Sequence, residues 1–139
     1  MFLKTLFALA FTALAATSAL AQDPDYRLSV TAADMKVGLP GAIVVKLDVL
    51  GGYKWNTEYP AKINVSGMPD TLLVPKPSFA QLAGDFKLET PHNVVVNVPI
   101  IAKAALKAPV TLDLKFVVCD ERVCIVKKTQ AKVVVTARK

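Results

Sequence analysis

An all-β, immunoglobulin-like antiparallel β-sandwich of about seven strands is the fold class this sequence predicts, and three observations predict it. Apolar residues alternate along segment after segment, most cleanly at Ile43, Val45, Leu47 and Val49 with Val44, Lys46 and Asp48 between them. A period of two belongs to strands with one face in a core. Turn signals rich in glycine and proline recur at spacings of roughly ten residues, the rhythm of short strands joined by tight connections. No part of the chain after its first segment shows the 3.6-residue period of an amphipathic helix.

The first 21 of the 139 residues are expected to be an export signal. Lys4 supplies the positive start, Leu6 to Leu14 form an apolar run too short for a membrane span, and Ala19-Leu20-Ala21 fits the small-x-small cleavage rule. Cleavage near Ala21 leaves residues 22–139 as one domain, long enough for a real core and too short for two. No second long apolar segment follows, so the mature chain is expected to have no membrane span and to be periplasmic or secreted. The net charge is +6, which falls by one when Lys4 leaves. Lysines are scattered singly along strands, as at Lys46, Lys62, Lys87, Lys115 and Lys132, with Lys127-Lys128 the one lysine doublet. That spread describes a solvated strand face, and no nucleic-acid partner is expected.

In chain order, Tyr26 to Ala32 reads as an edge strand with Leu28 and Val30 on one face. Leu39-Pro40-Gly41 reads as a turn into the Ile43–Val49 strand, which Gly51-Gly52 ends. Tyr53 to Pro60 is an aromatic-rich connection into a strand over Ala61 to Val65. Gly67, Pro69, Pro75, Pro77 and Pro91 make residues 66–92 an irregular link, with short strands at Leu72–Val74 and Phe86–Leu88. Val94, Val96 and Val98 mark the next strand, ended or bulged at Pro99 because proline cannot donate to a central ladder. Val110, Leu112, Leu114, Phe116 and Val118 alternate straight into Cys119, and the return strand begins at Cys124.

Cys119 and Cys124 are the only cysteines, separated by Asp120, Glu121, Arg122 and Val123. With β-branched runs on both sides, they stand at the shoulders of a hairpin. If they form a closely approaching cross-strand pair, a disulfide between them is geometrically reasonable, and an oxidising compartment would preserve it. In that register Phe116 faces Lys127 and Leu112 faces Ala131. A lysine beside a core phenylalanine predicts a bulge or twist near Lys127-Lys128, letting Val133 and Val135 rejoin the core face.

The rest of the chain offers little chemistry. His92 is the single histidine, beside Pro91, and with Met35 and Met68 it makes a poor metal set. No Ser–His or Cys–His arrangement and no glycine-rich phosphate loop is present, so no cofactor is expected. Tyr53, Trp55 and Tyr59 serve either to plug one end of the sandwich or to form a lid near the cysteines. Glu58 and Asp70 read as solvated loop charges. The cysteine pair is the constellation with reactive potential, and as a staple it is poorly placed. Closing so short a ring contributes about 2 kcal/mol, against about 4 for a bond between distant strands. Asp120 and Glu121 oppose a thiolate there, whereas Arg122, Lys127 and Lys128 favour one.

Two segments, Gly52-Tyr53-Lys54-Trp55-Asn56-Thr57-Glu58-Tyr59-Pro60 and Phe116 to Cys124, resemble the amino-terminal periplasmic domain of the thiol:disulfide interchange protein DsbD and its stand-alone relatives. The resemblance covers most of residues 22–139. It implies an immunoglobulin-like sandwich that takes electrons from one thioredoxin-like protein and passes them to others in the periplasm. Cys124 would attack a partner's disulfide and Cys119 would resolve it. An aromatic cap over the cysteines has Tyr59 and Phe79 as candidates. Two function classes therefore stand side by side: an exported thiol-disulfide exchange module with Cys119 and Cys124 as its active pair, and a non-enzymatic immunoglobulin-like interaction domain in which the same bond stiffens a docking hairpin.

Overall fold

The structure, a computed structural model, describes residues 23–139, and the expected signal at 1–21 lies outside the described residues. Eleven strand segments form there: β1 (Tyr26–Ala32), β2 (Met35–Lys36), β3 (Pro40–Val49), β4 (Lys54–Trp55), β5 (Lys62–Gly67), β6 (Leu72–Leu73), β7 (Ser78–Ala80), β8 (Lys87–Thr90), β9 (Asn93–Ala102), β10 (Leu106–Cys119) and β11 (Cys124–Arg138). One sheet runs β1-β3-β9-β6, with β8 also on β9. The other runs β2-β11-β10-β5-β7, with β4 also on β10. This is the strand order of an immunoglobulin-like sandwich: four strands ordered first, second, fifth, fourth on one side, and a last hairpin flanked by the third strand on the other. Every pairing is antiparallel except that of β2 with the end of β11.

The count exceeds seven because short segments such as β2, β4 and β7 pair beside the longer strands. The apolar faces meet as their spacing dictates. Ile43, Val45 and Leu47 of β3 and Val94, Val96, Val98 and Ile100 of β9 face Val110, Leu112, Phe116 and Val118 of β10, with Ile63 of β5, all fully buried. Trp55 plugs one end, stacked on Phe116 at 5.2 Å and on Phe86 at 5.7 Å, while Tyr26 meets Phe116 edge-on at 5.0 Å.

Several boundaries fall elsewhere than the sequence predicts. The turn before β3 lies at Val37–Gly38, where Gly38 has φ +80°, and Pro40-Gly41 already belong to the strand. β9 continues through Pro99, which pairs with Ala42 on β3. On its other side β8 covers β9 only up to Val95 and β6 begins at Ile101, so Pro99 sits where that edge is open. β7 and β2 arise in stretches without a readable alternation, and each is held by a neighbour's ladder.

The expected bulge at Lys127-Lys128 is absent: β10 and β11 pair without a break from Leu106↔Ala137 to Cys119↔Cys124. Lys127 shares its face with Ala131, Val133 and Val135, so no shift of register is needed. The lysine stays because two carboxylates come to it. Its ammonium lies 2.6 Å from Asp25 Oδ2 and 3.1 Å from Asp23 Oδ2, and 5.8 Å over the Tyr26 ring, with its side chain only 14% exposed.

The hydrogen bond to Asp25 raises the Lys127 pKa above 10.5; burial opposes this, and Asp23 adds to it. Burial likewise opposes ionisation of Asp23, but hydrogen bonds from the Asp25 N–H and the Lys127 ammonium outweigh it and hold its carboxyl below 3.8. The raised lysine stabilises the fold fully below its ordinary value and ceases to as pH rises through its folded value. The lowered carboxyl contributes above its ordinary value and ceases to as pH falls through its folded value. Lys127→Ala is therefore expected to cost about 1–2 kcal/mol in urea unfolding at neutral pH, between the range of exposed and of buried pairs. The deficit should shrink below pH 3.8 and above pH 10.5. An unchanged midpoint at pH 7 would remove this role.

Candidate functional site

The hairpin tip is built by strand pairing and then closed by one side chain. Cys119 ends β10 and Cys124 starts β11 as direct partners, with Cα atoms 4.1 Å apart and the two sulfurs joined in a disulfide. Asp120 Oδ1 accepts from the N–H groups of Arg122 and Val123, each at 2.7 Å, and the Asp120 N–H donates to the Val123 carbonyl at 2.9 Å. An aspartate accepting from the backbone two and three residues on fixes a tight loop without glycine. Because Phe116 and Val118 point into the core, Cys119 points outward. Cys119 is half-buried and Cys124 is exposed.

The second part of the site comes from a break in the neighbouring strand. β4 and β5 both pair with β10, Trp55 opposite Val118 and Lys62 opposite Lys115. Four more residues lie on their side than this register requires. The surplus, around Asn56 to Tyr59, leaves the ladder beside Val117, which is buried although it lies outside the main core. Asn56 still donates its N–H to the Val117 carbonyl at 3.0 Å. Its side-chain Nδ2 donates to Cys119 Sγ at 3.2 Å and lies 4.0 Å from Cys124 Sγ.

That amide is held from several directions. Asn56 Oδ1 accepts from the N–H of Glu58 at 2.8 Å and of Tyr59 at 3.0 Å. Gln81, at the start of a 3-10 turn (Gln81–Ala83), donates Nε2 to the carbonyls of Asn56 at 3.1 Å and Tyr59 at 2.8 Å. Its Oε1 accepts from Trp55 Nε1. The Gln81 N–H is tied to the Ala61 carbonyl, and Asp85 accepts from the Ala80 N–H. The Lys76 ammonium and that N–H hold the Asp85 carboxyl below its usual range. A core tryptophan thus anchors a glutamine, which anchors the asparagine on the disulfide.

Chemically, an amide N–H aimed at a sulfur stabilises negative charge that develops there when the S–S bond breaks. Lys54 is the partner of Cys119 across the strand and adds a cation on the same face. Of the cations expected to favour a thiolate, Lys127 is turned to Asp23 and Asp25 at the sandwich edge and is withdrawn from the sulfurs.

The two predicted cysteines are brought together. Of the cap candidates, Phe79 is a core residue paired across from Ile63, so it does not cover them. Tyr59 belongs to the segment beside the disulfide, but Asn56 makes the contact. Asn56 lies within residues 52–60, one of the two segments that carry the resemblance, yet its target could not be read there; Gln81 carries no sequence signal at all. His92 lies exposed with Nδ1–H donating to the Tyr53 carbonyl at 2.9 Å, Met35 is in the core and Met68 is exposed. Glu58 and Asp70 are exposed. Among the described residues no group of three or more His, Cys, Asp or Glu is arranged to hold a metal, and no helix is long and apolar enough to cross a membrane.

No protein-family model and no curated protein matches the chain. Among solved structures it is similar to the major subunit of aggregative adherence fimbriae type I from Escherichia coli, at 8% identity and TM-score 0.38, over 82% of this chain and 96% of that one. It is also similar to PapD-like domain 7 of human CEP192, at 8% identity and TM-score 0.39, over 95% of this chain and 99% of that one. The assignment to the immunoglobulin-like class stands on the strand order and register described above.

Proposed function

We propose that this chain is an exported immunoglobulin-like interaction domain that meets a protein partner through its disulfide-bearing hairpin. The observation that carries the reading is the position of the bond: it ties two already paired residues at an exposed tip, flanked by Val123 and Val126 at 47% and 51% exposure. Such a bond adds little to the core, whereas a stiff, partly apolar tip suits docking. A Val123→Asp, Val126→Asp variant is expected to lose pull-down of the partner from periplasmic extract. Retained binding would remove the hairpin from the interface.

A more specific reading of the same surface, thiol-disulfide exchange, is favoured by the Asn56 amide on Cys119 and by the resemblance to the DsbD amino-terminal domain. In it, Cys124, the exposed sulfur, attacks a disulfide of a thioredoxin-like partner. A Cys124–partner bond forms and the partner's second sulfur leaves as a thiolate. Cys119 then attacks Cys124, closing the hairpin disulfide and releasing the partner as a dithiol, so two electrons pass to the partner. Run in reverse, a partner thiolate attacks Cys124 and the electron pair moves to Cys119, beside the Asn56 N–H. The reduction potential separates the two readings. A value in the range of exchange proteins, roughly −120 to −270 mV, supports exchange; one below about −300 mV leaves docking with a structural bond.

Under the exchange reading, Asn56→Ala should slow attack of a small thiol on the oxidised domain roughly fivefold, the worth of about one hydrogen bond. The Thr57→Ala variant serves as a control. Equal rates for Asn56→Ala and the unsubstituted domain would show that the amide only shapes the loop.

A further inference from the structure

We propose that the outer face of the β5–β10–β11 sheet is a docking surface for an acidic segment of the protein partner, held by Lys62, Lys115 and Lys128. The proposal rests on the reading that a protein partner meets the disulfide, and it names the chemistry of that partner. Lys115 of β10 stands directly opposite Lys62 of β5 on one side and Lys128 of β11 on the other, so three exposed lysines lie abreast across three strands. Like charges directly opposite one another destabilise a sheet. Among the described residues the ion pairs involve Lys76, Lys127 and Arg138, none of them in this row. The next row holds Asn64, Asp113 and Gln130, and Asp113 is engaged by Gln130 Nε2 at 2.7 Å. Together they line a shallow trough of about 510 Å³ with three cations and one carboxylate.

The place of the row relative to the sulfurs decides what would occupy it. Lys115 and Lys128 are each four residues from Cys119 and Cys124 on the same outward face, about 13 Å along the strands. Between them stands the exposed Val126, whose partner across the ladder, Val117, is buried. Disulfide, apolar step and cation row fit beneath one interface of about 800 Å² per partner. Three cations fall short of the roughly 6–10 phosphate contacts of a nucleic-acid site, and an apolar step has no use there. An acidic stretch of a partner whose own reactive or docking atoms reach Cys124 fits the whole face.

The test uses the Cys119→Ser variant, which keeps the exposed Cys124 thiol. Two synthetic peptides, each with one cysteine, a spacer spanning about 13 Å and a tail of glutamates or of lysines, compete for it in a buffer of a small thiol and its disulfide, the disulfide taking up the two electrons that each mixed disulfide releases. Mixed disulfide at Cys124 is read by mass spectrometry. The glutamate tail is expected to win roughly tenfold at low ionic strength and to lose that advantage at about 1 M salt. Adding Lys62→Gln, Lys115→Gln and Lys128→Gln should abolish the preference, with capture of a serine-tailed peptide unchanged. Equal capture of both charged tails, or a preference surviving the three substitutions, overturns the proposal. If Cys119→Ser folds poorly, Cys119→Ala, which likewise leaves no second thiol to release the peptide, gives the same comparison. Capture needs only a thiol at Cys124, so a failed partner pull-down with tail preference intact counts against the functional reading, and the converse against this surface.

Discussion

Phe116→Ala should destabilise the domain by about 3–5 kcal/mol, the largest loss expected of a single substitution here. Phe116 is 1% exposed and joins both sheets to the plugged end of the sandwich, with Trp55 stacked on it and Tyr26 edge-on to it. Truncation removes the transfer energy of the ring and leaves a cavity that two large neighbours cannot close by small shifts. The same change frees Trp55, whose Nε1 anchors Gln81 and through it Asn56. Chemical denaturation should therefore show a lower midpoint, and reduction of the disulfide should lose its dependence on Asn56. Val126→Ala, on the exposed face of the same hairpin, should stay within about 0.5 kcal/mol. A Phe116→Ala loss below about 1 kcal/mol would mean that the aromatic cluster does not organise this end of the fold.

Replacing Cys119 and Cys124 together by serine should lower stability by about 2 kcal/mol and leave a folded domain. The ring is short, its ends are already neighbours in the longest ladder of the structure, and neither cysteine belongs to the core cluster. If exchange is the function, that variant retains fold and docking surface but loses electron transfer completely, since no sulfur remains to carry the partner. If docking alone is the function, partner affinity should fall only by as much as the loop loosens. Thermal unfolding and a partner-coupled reductase assay on one sample separate these outcomes. A variant that fails to fold would show instead that the hairpin bond supports the sandwich far more than loop closure accounts for.

Much of this architecture was legible in the amino-acid sequence because strand alternation is a local property. Tyr26–Ala32, the Ile43–Val49 face and the run from Val110 to Cys119 appear where apolar periodicity puts them, and facing Cys119 with Cys124 gives the register of the last hairpin, though not its unbroken course past Lys127-Lys128. Two cysteines flanking a short charged loop were enough to place the disulfide. The export signal is likewise a reading of sequence, and it falls outside the described residues.

Tertiary structure decided what depends on neighbours distant in the chain. Lys127 stays on the inner face without a bulge because Asp23 and Asp25, more than a hundred residues earlier, bring carboxylates to it. Asn56 reaches Cys119 because a strand carries four surplus residues, which becomes visible only once both of its halves are paired with β10. Lys62, Lys115 and Lys128 look like scattered surface charges until sheet order sets them abreast. Periodicity assigns each residue to a face; long-range pairing alone selects which faces adjoin, and with them the charges and amides that surround the sulfurs.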